Sequence, residues 1–181
     1  MPLPLHTRRL TLRDFRPEDF GDVHAYASNP EVTRHLSWGP NTEAQTRAFL
    51  EYAAACAAAE PREQFPVAMA DRETNRVLGG TGLHGRNLQF REYEIGYCLV
   101  PEAWGRGLAS EAVRALLDFG FGELGAHRIY AKVYPEAVAS SRLLEKIGFR
   151  REGHQVKDTF VRGAWEDSLI YAMLEEEWPG N

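Results

Sequence analysis

The sequence predicts a mixed α/β sheet with helices on both faces, and three observations carry that prediction. The hydrophobic periodicities run strand, two helices, three strands, helix, strand, helix, two strands. No repeat, low-complexity segment or linker breaks this order, so residues 1–181 read as one domain, long enough to bury a core. Apolar residues make up 44% and charged residues 26% of the chain, the balance of an ordinary globular protein.

The elements follow in order. Residues 9–15 alternate Leu10 and Leu12 with charged neighbours, a strand pattern. Pro17, Glu18 and Asp19 open a helix with proline and acids in its first turn, Val23, Tyr26 and Ala27 form its apolar side, and Asn29-Pro30 is expected to end it. Residues 31–41 read as loop. Thr42 and Gln45 fit a capping box for a helix reaching about Ala59. Strands are expected at 65–70 and 77–84, joined by a turn over 71–76, then at 92–100. A helix then runs to about Phe121. Strand 128–134, helix 137–147 with Gly148 as its C-cap, strand 149–156, a turn at Arg162-Gly163 and strand 165–174 complete the chain.

The most informative segment is Leu99-Val-Pro-Glu-Ala-Trp-Gly-Arg-Gly-Leu-Ala-Ser-Glu-Ala112. A strand stops at Pro101, Gly105 and Gly107 follow, and the helical stripe Ala109, Ala112, Val113, Leu116, Leu117 begins. Glycines let backbone approach a ligand closely, and free N–H groups at a helix start favour an anion. A pyrophosphate-bearing ligand is therefore expected here, the bland alternative being a glycine-containing loop before an ordinary helix. Neither G-x-x-x-x-G-K-[ST] nor G-x-G-x-x-G is present, since Ser110 stands at the third glycine position of the latter.

The segment resembles the acetyl-CoA loop of the GNAT N-acetyltransferases, [QR]-x-x-G-x-[GA], aligned here as Trp104-Gly105-Arg106-Gly107-Leu108-Ala109, with Trp104 replacing Gln or Arg. Trp-Gly-Arg-Gly followed by Ser-Glu-Ala resembles the ribosomal-protein N-terminal acetyltransferases, the RimJ/RimL-type branch. Arg9-Leu10-Thr11-Leu12-Arg13, Glu94-Ile95-Gly96-Tyr97, and Ser140 with the run Leu144-Glu145-Lys146-Ile147-Gly148-Phe149 resemble further segments of that branch, in order. The resemblance implies a GNAT-type α/β fold: a mostly antiparallel sheet of about seven strands with helices on both faces.

It also implies acetyl-CoA as cosubstrate and a primary amine as acceptor, with direct transfer between them. The pyrophosphate would rest on Gly105, Arg106, Gly107, Leu108, Ala109 and Ser110, with the Arg106 side chain either adding charge or facing solvent. The pantetheine would run beside Leu99 and Val100, and N–H groups near Leu99 would polarise the thioester carbonyl. Ser140 is the residue expected to protonate the leaving thiolate, with Ser141 the adjacent alternative and helix support the competing role. Ala137 stands where the branch usually carries Asn. Glu94 is the first candidate base, Asp158 and His84 follow, and Thr159 occupies a position where some relatives carry a glutamate. Glu111 reads as a partner of the helix N-terminus. Trp38, Trp104 and His35 are candidates for the acceptor side or for plain packing.

The remaining signals are exclusions and inclinations. A net charge of −5 does not favour a nucleic-acid surface. Cys56 and Cys98 are far apart and suggest neither a disulfide nor a metal site, and Cys98 reads as a core thiol. No apolar leader or membrane-length run is visible, so a cytoplasmic protein without a membrane partner is expected. A homodimer is the family's habit. Neutralising an α-amine of pKa ~7.7–8.0 at pH 7 costs about 1–1.4 kcal/mol, against about 4.6 kcal/mol for a lysine, which inclines the reading toward peptide N-termini. Alternatives are a small-molecule amine acceptor, a non-catalytic acyl-CoA sensor or interaction module, and a nucleotide-binding regulator.

Overall fold

The computed structural model describes residues 3–180. Eight strands form one sheet: β1 (Leu5–His6), β2 (Leu10–Arg13), β3 (Gln64–Asp71), β4 (Val77–Asn87), β5 (Glu92–Leu99), β6 (Arg128–Val133), β7 (Arg150–Val161) and β8 (Ala164–Leu174). Their order is β1-β2-β3-β4-β5-β6-β8-β7, and only β5 and β6 run parallel. The helices are α1 (Phe20–Ala27), α2 (Pro30–Thr33), α3 (Glu43–Ala58), α4 (Leu108–Gly122) and α5 (Val138–Ile147). The expected mixed sheet is present, with one strand more than the seven anticipated. The added β1 pairs only Leu5 and His6 with β2, too short a stretch to leave a periodic signal.

Opposite faces of the sheet carry different helices. A Cβ on Gly80 of β4 would meet Tyr26 of α1 and Phe15, and Phe15 packs edge-on against Phe49 of α3 with centroids 5.1 Å apart. On the other face, Gly120 of α4 lies close against Ile129 and Leu83. Val113, Leu116 and Leu117 of α4 are fully buried, as their spacing requires. The first layer is tied to β2 by an ion pair: Arg13 donates to both carboxylate oxygens of Asp19 at 2.7 and 2.9 Å, and both residues are buried.

Local signals explain most boundaries. Thr42 and Gln45 form the capping box of α3, with the Thr42 N–H donating to Gln45 Oε1 at 2.8 Å. Gly148 adopts φ +117° and closes α5. Two expectations are corrected. Asn29-Pro30 ends α1 but also starts α2, because the Asn29 side chain accepts the Glu31 N–H at 2.9 Å and Pro30 fits the first helical turn. Strand β7 continues to Val161 instead of stopping at 156. Its register shifts between Gln155 and Thr159, and Lys157 sits at φ +52°, a bulge that interrupts the alternation.

Candidate active site

The sheet splits where its one parallel pair ends. β5 and β6 pair only from Glu92 to Glu94 against Arg128 to Tyr130, and beyond that point the two strands part. Val100 donates its N–H to the Leu78 carbonyl at 2.8 Å, so strand alternation turns the N–H groups of Leu99 and Tyr97 toward the parted edge. Two connected hollows flank this edge, a groove of about 470 Å³ and a cavity of about 1130 Å³, and His35, Leu36, Tyr97 and Cys98 line both.

The groove is built around the glycine turn. Gly105 and Gly107 take φ +69° and +76°, conformations side chains rarely adopt, and Gly107 is the N-cap of α4. The Glu111 N–H is the first to close a helical bond, onto the Gly107 carbonyl at 3.1 Å. Among the described residues, the N–H groups of 105–110 meet no backbone acceptor. Free donors, a helix start and open space above Gly105 fit a pyrophosphate, and the free edge at Leu99 fits an extended pantetheine arm.

The turn is held from two sides. Trp104, the departure from the motif, donates its indole N–H to the Leu99 carbonyl at 2.8 Å and ties the loop to the end of β5. Glu111 accepts from the Thr7 hydroxyl at 2.5 Å and from the N–H and Nε of Arg9 at 2.7 and 2.8 Å, while Arg9 Nη1 donates to the Arg106 carbonyl at 2.8 Å. Burial pushes the Glu111 carboxyl up, but the Thr7 and Arg9 hydrogen bonds outweigh it and hold the group below the usual range. Glu111 therefore anchors the turn between β1 and β2 to α4.

Leu99, Gly105, Gly107, Leu108, Ala109, Ser110 and Ser140 all line the groove. Arg106 and Val100 do not. Arg106 is exposed, and Val100 is buried with its N–H committed to β4. Ser140 lines the groove and Ser141 does not, which separates the two serines. Ala137 is the N-cap of α5 and offers no side-chain bond to it. The Tyr97 hydroxyl reaches the Ser140 carbonyl at 3.5 Å, and burial pushes that phenol up to about 12. Burial likewise raises the Cys98 thiol to about 11, so it stays protonated and is a poor nucleophile at neutral pH.

The larger cavity holds Glu94 and His84, with Trp38 and His35 on its wall. Trp104 belongs to the groove side instead. Glu94 Oε2 accepts from Arg86 Nε at 2.8 Å and lies 3.4 Å from the Tyr130 hydroxyl. Asp158 is paired with Lys132 at 2.9 Å and does not line the cavity, whereas Thr159 does. Arg162, at the tip of the β7–β8 hairpin, donates to the carbonyls of Thr33, Arg34 and Gly39 at 3.1–3.4 Å, fixing the loop that carries His35 and Trp38. Gln64, Arg86, Tyr130 and Arg162 carry no motif in the sequence. They reach the site through strand register and a hairpin contact that periodicity does not reveal.

Known proteins resemble this chain in sequence and in fold. A family model described as an acetyltransferase (GNAT) domain matches residues 9–150. The uncharacterized N-acetyltransferase YnaD of Bacillus subtilis is 37% identical over 172 residues, 95% of this chain and 97% of that protein. A GNAT-family acetyltransferase from Bacillus anthracis has a crystal structure that superposes with a TM-score of 0.82 at 36% identity, covering 96% of this chain and 99% of that one. Spermidine N(1)-acetyltransferase of Vibrio cholerae is 35% identical over 102 residues, 56% of this chain and 59% of that protein. The ribosomal-protein-S5-alanine acetyltransferase of Vibrio fischeri shares the fold at a TM-score of 0.80 and 22% identity, covering 98% of this chain and 99% of that one.

Proposed function

The chain belongs to the GNAT acetyltransferase family, and on that premise we propose that it moves an acetyl group from acetyl-CoA directly to the α-amine of a peptide or protein N-terminus. One observation carries the reading: the glycine turn with free N–H groups opens beside an unpaired strand edge, and that edge leads into an acceptor cavity. Acetyl-CoA, when bound, supplies an acetyl thioester as electrophile. The N–H groups of 105–110 hold its pyrophosphate, and the Leu99 N–H at the parted edge polarises its carbonyl. Ser140 passes a proton to the departing sulfur and recovers one from the attacking nitrogen. Glu94 is the carboxylate whose negative charge draws the ammonium into the acceptor cavity. The Cys98 thiol, partly exposed on the wall of both hollows but held protonated, takes no part, which favours transfer in a single step.

The cavity's charge bears on the acceptor. Among its described lining residues Glu94 is the one carboxylate, and Arg86 already pairs with it. A polyamine carries several positive charges and needs more acidic partners than this wall offers. Tyr134 lines the cavity with a buried hydroxyl that has no hydrogen-bond partner among the described residues, and the amides of a peptide N-terminus can supply one. The second reading, a small-molecule amine, is favoured by the spermidine-acetylating relative. We place the enzyme in the cytoplasm; no helix among the described residues is long and apolar enough to cross a membrane.

The test is thiol release from acetyl-CoA with a panel of N-terminal peptides, lysine peptides, spermidine and simple amines. The reading expects release with the N-terminal peptides. Release only with spermidine or simple amines selects the second reading. Tight acetyl-CoA binding with no release across the panel would make the protein an acyl-CoA sensor instead.

A further inference from the structure

A row of polar side chains crosses the floor of the acceptor cavity. Gln64 of β3 pairs in register with His84 of β4, His84 with Glu94 of β5, and Glu94 with Tyr130 of β6. Side chains directly opposite on neighbouring strands share one face, with Cβ atoms about 4.5–5.5 Å apart. His84, Glu94 and Tyr130 all line the cavity.

The hydrogen bonds of this row fix the tautomer of His84. Gln64 Nε2 donates to the Gly85 carbonyl at 3.1 Å, which leaves Gln64 Oε1 as the atom 3.1 Å from His84 Nδ1. A carbonyl oxygen only accepts, so Nδ1 carries the proton and Nε2 keeps its lone pair. That lone pair has direction. Nε2 lies 3.2 Å from the point a Cβ on Gly82 would occupy, so the ring leans along β4 toward the strand positions facing Gly96 and Cys98. Gly82 and Gly96 keep the floor there clear of side chains.

We infer that His84 Nε2 accepts the proton of the incoming ammonium, with Gln64 as a positioning residue that fixes the imidazole and Glu94 as the anion that balances the charge formed. The inference rests on the acetyl-transfer reading above. In the step, one N–H bond of the ammonium breaks and an Nε2–H bond forms, leaving the electron pair on the amine nitrogen. That pair then forms the C–N bond while the C–S bond breaks. The sulfur receives its proton through Ser140 from the same nitrogen, and the proton on His84 leaves to solvent.

The charged and titratable groups that share this part of the cavity with the imidazole are Arg86 on its own strand, Glu94 on β5, Tyr130 and Lys132 on β6, and Tyr52 on α3, and of these Arg86 and Glu94 act on it electrostatically. Burial and the Arg86 charge lower the basicity of His84, and Glu94 opposes them. The imidazole is therefore neutral at pH 7 and able to accept a proton.

Two measurements test the inference, one of them independent of turnover. Nitrogen NMR of the imidazole in the unliganded protein should find His84 as the Nδ1–H tautomer at pH 8. Gln64→Leu should lose that preference, and Gln64→Glu should keep it. An Nε2–H tautomer in the native protein overturns the inference. With an acceptor from the panel, His84→Gln should lower kcat/KM by about 10²–10⁴-fold while leaving acetyl-CoA affinity unchanged. Its residual rate should follow the neutral-amine fraction, falling tenfold per pH unit below the amine's pKa, where the native enzyme stays flat until His84 protonates. Glu94→Gln should keep the native profile with its acid limb moved to lower pH. If His84→Gln retains the native rate and profile, or Glu94→Gln abolishes the plateau, the base is not His84. A native protein that turns over no amine defeats the transfer reading alone, and the tautomer measurement still decides the placement of His84.

Discussion

Replacing Gly107 with valine tests the proposed cofactor cradle at the N-cap of α4. Gly107 holds φ +76° at the N-cap of α4 and lines the groove. A side chain forced into the left-handed region costs about 1–2 kcal/mol, which for a chain of this size lowers Tm by about 2–8 °C. The binding penalty is larger. Valine methyls beside the free N–H groups hold a phosphate away from the backbone, and each charge-assisted hydrogen bond is worth about 1.5–3 kcal/mol. Losing two of them amounts to about 3–6 kcal/mol, a weakening of about 10²–10⁴-fold at roughly 1.4 kcal/mol per decade. Titration calorimetry with acetyl-CoA measures it, with circular dichroism to show that the variant is folded. Gly21→Ala in α1 is the control, because a Cβ there meets nothing and its φ is ordinary. A folded Gly107→Val protein with native acetyl-CoA affinity would refute the cradle.

Other substitutions probe the role proposed for Ser140 and the scaffold. Ser140→Ala should lower kcat by about 10²-fold with acetyl-CoA affinity kept, and Ser141→Ala should leave kcat near native; steady-state kinetics with calorimetry checks both. Asp19→Ala strands the buried Arg13 guanidinium and should cost about 3–5 kcal/mol, a Tm drop of about 6–20 °C measurable by calorimetric melting. Burial raises the Asp19 carboxyl, but the bonds from Arg13 and Arg16 hold it below the ordinary value, as the Thr7 and Arg9 bonds do for Glu111. Their stabilisation is therefore complete above the ordinary carboxylate range and drains as pH falls toward the depressed folded values. Denaturant melts of the native protein should weaken below about pH 4, and the Asp19→Ala variant should show a shallower loss.

The sequence disclosed the parts of this fold that depend on local chemistry. The Thr42–Gln45 box, the Gly148 cap and the apolar stripe of α4 each state their structure within a few residues. The glycine turn before α4 was legible for the same reason: strand end, two glycines and helix start are contiguous in the chain. The larger cavity was not. Its floor depends on register between β3, β4, β5 and β6, which brings Gln64, His84, Glu94 and Tyr130 into one row across 67 positions of chain, from 64 to 130. A lone glutamine at the edge of a strand carries no signal of its own. Arg162 was visible only as part of a turn, and its grip on the carbonyls of Thr33, Arg34 and Gly39 needs the long hairpin that the bulge at Lys157 concealed. Trp104 read as a departure from the motif, yet its indole bond to Leu99 fastens the same turn.

The most direct test follows the acetyl group itself. Protein mixed rapidly with acetyl-labelled acetyl-CoA and a peptide with a free N-terminus is quenched through the first turnover, and the label is located by mass spectrometry. Direct transfer predicts that label appears on the peptide's terminal nitrogen as free thiol is released, with none on the protein at any time. Label resting on Cys98 or another side chain before it reaches the peptide would contradict single-step transfer, and thiol release without labelled peptide would contradict the acceptor itself.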